Sequence, residues 1–147
     1  MKSREWLDRG LESTDPIEQF SNSWRGFNNL FYTNISGTEL DKIKLYIDRE
    51  VTEEMATELL ASHQSEIMYL TSIPVKDMRG HGRDTSEYIS TYKNTESAKE
   101  KLKQIFSIIY KVRCNLEHGQ KSPTRDRDIE LCMSSWPLVA EVIDRCA

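Results

Sequence analysis

The sequence holds only three cysteines, Cys114, Cys132 and Cys146, and no C-x-x-C pair. An odd number at such spacing fits neither a disulfide framework nor a zinc knuckle, so reduced thiols and no bound metal are expected. Long apolar runs are missing as well. None approaches the ~20 residues that a bilayer span needs, and the charged start MKSREWLDRGLES lacks the apolar centre of a signal peptide. The expectation is a cytoplasmic protein without a membrane partner. Positive charge is not in excess: 20 Lys and Arg face 24 Asp and Glu, for a formal net charge of −4. A protein that coats nucleic acid without selectivity needs a broad basic surface to displace counterions, so any nucleic-acid site here has to be local. Repeats, low-complexity segments and strand-like alternation are also missing.

What is present describes a folded chain. At 147 residues, with 37% hydrophobic and 30% charged residues, it has the length of one domain spanning residues 1–147 and the means to bury a core of its own. The pattern is helical nearly throughout. In DPIEQFSNSWRGFNNLFY, Asp15 reads as an N-cap, Pro16 as the first helical residue and Glu18 as a first-turn acid. Ile17, Phe20, Trp24, Phe27 and Phe31 then recur at gaps of three and four, which stacks them on one face. A short helix from Ser3 to Leu11 is expected to cross it.

Thr38 and Asp41 resemble a capping box ahead of Leu40, Ile43 and Ile47, and Thr52 caps TEEMATELLASHQ with Glu53 and Glu54 in its first turn. Ile67 to Ile73 forms a brief apolar stretch ending at Pro74. VKDMRGHGRDTS reads as an exposed loop, whose Arg79, His81 and Arg83 are phosphate-gripping candidates or plain solvated residues. TSEYISTYKN suits a helical turn or extended chain. The longest helix is expected to start at Asn94 or Thr95 and to stop at Gly119, a residue suited to the left-handed position after a helix. A last helix should bury Ile129, Cys132, Met133, Trp136, Val139 and Ile143, with a kink at Pro137. The fold class is therefore all-α: a bundle of four to five main helices with extra short helices in the middle.

One residue breaks the pattern. At about 100° per residue, Arg113 falls inside the apolar stripe of Leu102, Ile105, Phe106, Ile109, Val112 and Leu116. A guanidinium there must snorkel, find an acid such as Glu117, or face a cleft, because desolvating it alone is costly. His118 closes the same helix, either as a cation facing the helix dipole or as a side chain swinging toward the mouth of the same cleft. Lys111, Lys121, Arg125 and Arg127 surround the pair, and Cys114 with His118 would supply at most two metal ligands.

RCNLEH, Arg113 to His118, resembles the R-x4-6-H signature of HEPN domains, the helical domains of many prokaryotic toxins and defence nucleases. The motif lies near the end of the penultimate long helix, followed by a glycine, a polar loop and a terminal helix, as in that family. WRGFNNLFY resembles the family's aromatic first helix; residues 38–91 align with nothing in it.

The resemblance implies a bundle that dimerises with Arg113 and His118 of both copies lining one cleft, and a ribonuclease that needs neither metal nor cofactor. His118 would move protons and Arg113 would support the charge on phosphorus. Asn115, Lys111 and Lys121 are the substrate-binding candidates. RNA, a second copy of the chain and an antitoxin or defence-system protein are the implied partners. Cys114 departs from the polar residue that active members often carry directly after the arginine. A noncatalytic module that binds RNA, a nucleotide or a protein therefore stays open, as does a regulatory subunit whose motif seals a dimer interface.

Overall fold

The computed structural model describes residues 2–31, 37–77, 82–117 and 126–146. Among them are eight helices and no strand: α1 (Lys2–Glu12), α2 (Pro16–Phe31), α3 (Glu39–Glu50), α4 (Glu53–Ser62), α5 (Gln64–Ser72), α6 (Ser86–Asn94), α7 (Ala98–Glu117) and α8 (Asp126–Cys146). The chain is all-α. None of these helices is long and apolar enough to cross a membrane.

The start signals act as local chemistry requires. Asp15 Oδ1 accepts from the amide of Ile17 at 3.1 Å, Thr38 and Asp41 close a reciprocal capping box, and Thr52 Oγ1 accepts from Met55 N at 3.0 Å. Each satisfies a backbone donor that the first helical turn leaves unpaired. The ambiguous TSEYISTYKN becomes α6 because Asp84 Oδ1 takes both the amide of Ser86 at 2.9 Å and its hydroxyl. α7 starts at Ala98, later than the sequence indicates, since Thr95 serves as the C-cap of α6. Its cap comes from far along the chain. The Glu53 carboxylate of α4 accepts from the amides of Ala98 and Lys99, each at 3.1 Å, and from the Ser97 hydroxyl.

Packing divides the helices into two groups joined by aromatics. α2 lies between α1 and α8, while α7 carries α3, α4 and α6 on its flanks and α5 touches both α7 and α8. Phe20, Trp24 and Phe27 of α2 are buried with Phe106 of α7. Phe27 meets Phe106 at a centroid distance of 5.3 Å and Trp24 meets Tyr110 at 6.3 Å, so rings span the seam between the groups. The approach of α1 to α2 runs through glycine. A Cβ on Gly26 would sit 2.5 Å from the Ser3 carbonyl oxygen and 3.1 Å from Ile143 Cδ1, and one on Gly10 would sit 3.1 Å from the Gln19 carbonyl.

Two expectations need correction. α8 buries Leu131, Cys132, Leu138, Val139, Val142 and Ile143 together with Asp128, Ser134 and Ser135, whereas Met133 is 45% exposed and Ile129 and Trp136 are only partly covered. Small polar residues occupy the close face where the sequence suggested large apolar ones, and Ser135 satisfies its hydroxyl on the Leu131 carbonyl at 2.6 Å. The helix runs on through Pro137. The α5–α6 connection is also more than an exposed loop. Val75 and Thr85 are buried and clasp each other, Val75 N donating to Thr85 Oγ1 at 2.8 Å and Thr85 N to the Val75 carbonyl at 3.2 Å. Within RGHGRD, Arg79 and His81 lie outside the described residues, and Arg83 is exposed and pairs with Glu87 at 3.2 Å.

Two outcomes follow from this packing. Gly26→Ala should lower stability by about 1–3 kcal/mol, because the added methyl meets backbone that cannot step aside; urea unfolding followed by circular dichroism measures it. The Glu53 cap should be pH-dependent. The Ser97 hydroxyl, then the Lys99 amide, hold the Glu53 carboxyl below its ordinary value of 4.5, so the stabilisation is complete above that value and disappears as pH falls through the depressed folded-state value. The protection factors of the Ala98 and Lys99 amides should fall selectively on acidification, and at all pH values in Glu53→Gln.

Candidate functional site

The last two turns of α7 present different residues on opposite sides. Tyr110, Arg113 and Leu116, at helical spacing, turn toward α2 and α3. Lys111 and Asn115, four apart, turn toward the chain that follows α5. The Arg113 side chain is 23% exposed, and its Nη1 lies 3.9 Å from Glu39 Oε2 in the first turn of α3. It borders a cleft of about 230 Å³ with Phe20, Ser21, Trp24, Arg25 and Leu116. Arg113 therefore both finds an acid and faces a cleft. The acid is Glu39 of another helix, which no local spacing in the sequence reveals.

The cleft has an aromatic floor and polar walls. Among the described residues the Trp24 indole N–H, the Ser23 hydroxyl and Glu39 Oε1 are buried without a hydrogen-bond partner, at a desolvation cost of about 1–3 kcal/mol for each such group. Burial and a hydrogen bond with Cys114 push the Tyr110 hydroxyl well above its ordinary range. Burial likewise raises the Cys114 thiol above 9.0, so this residue is a neutral, weakly nucleophilic side chain at physiological pH. Arg25, beside Trp24 in the sequence, is the second cation at this cleft and was not among the residues singled out by motif.

Asn115 and Lys111 are placed away from it. Asn115 is 1% exposed and donates its amide Nδ2–H to the Lys76 carbonyl at 2.8 Å. Lys111 Nζ lies 3.4 Å from Asp77 Oδ2, a carboxylate with only 2% of its side chain exposed. Both residues fasten the segment after α5 onto α7, about half a helical turn away from Arg113. Arg127 donates to the Ile73 carbonyl at 3.0 Å and lies over the Tyr69 ring, which ties the start of α8 to α5. His118, Lys121 and Arg125 lie outside the described residues, as does Gly119.

A different cluster joins α4, α5 and α8. His63 sits at the α4–α5 junction with Nδ1 3.2 Å from Glu66 Oε1 and Nε2 2.6 Å from Glu141 Oε1. Arg145 binds the other oxygen of Glu141 at 2.9 Å and reaches Glu58 at 3.0 Å. This set locks three helices together. Among the described residues no group of three His, Cys, Asp or Glu side chains has the arrangement to hold a metal ion.

The raised Cys114 thiol should be slow to react. At pH 7.5 its alkylation by iodoacetamide in the folded protein should fall well behind that of the same cysteine in urea, as read by peptide mass spectrometry. Tyr110→Phe removes the hydroxyl that holds the sulfur and should change that rate without unfolding the chain. Compared with protein-family models, with curated proteins and with solved structures, the chain gives no match in any of the three.

Proposed function

We propose that the chain is a metal-independent RNA endonuclease of the HEPN type, working as a homodimer in prokaryotic toxin or anti-phage defence, with Arg113 and His118 as its catalytic residues. One observation carries the reading: the Arg113 guanidinium is left part-exposed on the wall of a cleft that holds a second guanidinium, Arg25. A cation used only for packing gains nothing from a like-charged neighbour. Two positive groups above an aromatic floor suit a phosphodiester.

The chemistry follows from the residue types. His118, one residue beyond the last turn of α7, takes the proton of a ribose 2′-hydroxyl, whose oxygen attacks the adjacent phosphorus. Arg113 supports the charge that develops on the phosphorane oxygens. The 5′-oxygen leaves with a proton, from the partner copy's imidazole or from water, and a 2′,3′-cyclic phosphate remains. DNA lacks the attacking hydroxyl and should stay intact. A two-fold arrangement supplies two histidines, which separates the acid and base roles.

A second reading rests on Glu39 and Cys114. The carboxylate 3.9 Å from Arg113 competes with a phosphate for the guanidinium, and the residue after Arg113 is a neutral thiol bound to Tyr110. Both features suit a noncatalytic module that holds RNA, a nucleotide or a protein in the same cleft.

End-labelled RNA incubated with purified protein in EDTA separates the two. Cleavage should proceed without metal. It should drop about 10²–10³-fold in Arg113→Ala and about 10²–10⁴-fold in His118→Ala. Cleavage that requires metal, or that survives both substitutions, sinks the nuclease reading; tight binding with intact RNA selects the module.

A further inference from the structure

The cleft beside Arg113 does not end at Arg25. Ser21 and Arg25 also border a second depression, of about 530 Å³, which runs between α1 and the start of α2 past Asn22 to Arg9. Beside Arg9 and Arg25 lies Trp6, a tryptophan of α1 that is only partly covered although Phe20, Trp24 and Phe27 of α2 and Phe106 of α7 are buried. Two guanidiniums lie over its ring, Arg25 at 5.1 Å and Arg9 at 5.9 Å from the centroid. Arg25 is held in turn by Asn22 Oδ1 at 3.3 Å. The close α1–α2 crossing at Gly10 and Gly26 is what places Trp6 within reach of Arg25.

We infer that these two depressions form one groove for single-stranded RNA, in which the Trp6, Arg9 and Arg25 stack grips the strand beyond the few nucleotides held at Arg113. A partly exposed indole with guanidinium groups over its ring offers flat surfaces on which bases stack without regard to sequence. Arg25 borders both halves, with Arg113 in the first and Arg9 in the second, so cations line the groove in both of its parts. The acids of the second depression, Glu12 and Glu18, would oppose phosphates placed over them. The Ser13 hydroxyl donates to Glu18 at 2.8 Å and leaves it its charge, so the backbone of the nucleic acid keeps to the arginine-lined side. The net acidity of the whole chain confines binding to this strip.

The inference rests on the reading of the Arg113 cleft as an RNA site, not on cleavage there. The probe is fluorescein-labelled oligouridylate with 2′-O-methyl riboses, which cannot be cut by 2′-hydroxyl attack, as a 12-mer and as a trimer. Anisotropy should show Trp6→Ala and Arg9→Gln each weakening the 12-mer roughly 10-fold while leaving the trimer within about 2-fold. Arg113→Ala should weaken both. The slope of log affinity against log salt should fall by about 0.7 in Arg9→Gln, the value for one single-strand phosphate contact. Wild-type affinity for the 12-mer in both groove variants, or no binding by the unmodified protein, overturns the groove. If those variants bind normally while RNA is still cut through Arg113 and His118, the groove fails and the nuclease reading stands. If the groove variants weaken binding as expected but unmodified RNA is never cut, the groove stands and the nuclease reading fails.

Discussion

The contact between the aromatic face of α2 and the middle of α7 is the constraint on which the remaining architecture depends. Phe27 against Phe106, with Trp24 against Tyr110, is where the α1–α2–α8 group meets the group around α7. Large rings at this seam bury much apolar area for few backbone contacts, so the two helix axes stand apart and leave room at the ends of the rings. The cleft beside Arg113 lies where that spacing opens, beyond the last aromatic pair. Had small residues closed the seam, α2 and α7 would meet directly and a guanidinium at Arg113 would have no outlet.

Long-range polar contacts then fix the order of the shorter helices. Glu53 of α4 supplies the start of α7, and His63 with Glu141 and Arg145 ties α4 and α5 to α8. Lys111 and Asn115 draw in the chain after α5. Each replaces a hydrogen bond that a helix end or loop would otherwise make with water, and each acts between segments distant in sequence. Helices α4, α5 and α6 have 10, 9 and 9 residues, too short to persist alone, so such ties together with burial hold them in place.

Periodicity made much of this legible. The gaps of three and four from Ile17 to Phe27 mark the buried face of α2, and Thr38, Thr52 and Asp15 mark helix starts because capping is a local event. What was not legible depends on partners far away. The start of α7 was displaced because its cap is Glu53, and α8 was turned too far because Ser134 and Ser135 occupy a close face that an apolar count passes over. At the site, Arg113 stood out as a charge on a greasy stripe that had to snorkel, find an acid or face a cleft, and it has both an acid and a cleft beside it. Its neighbours Glu39 and Arg25 come from other helices, and nothing in the spacing around Arg113 points to them. Asn115 and Lys111 were grouped with Arg113 by proximity in sequence, although two residues along a helix is more than half a turn.

The glycines at the α1–α2 crossing make that joint one of backbone on backbone. The side chains of α1 that are buried are Ser3 and Leu7, on its inner face. The outward positions of α1 can accordingly drift between charged, polar and aromatic residues while the helix keeps its place, so over evolutionary time this is the strip on which the protein can most readily rewrite what it touches.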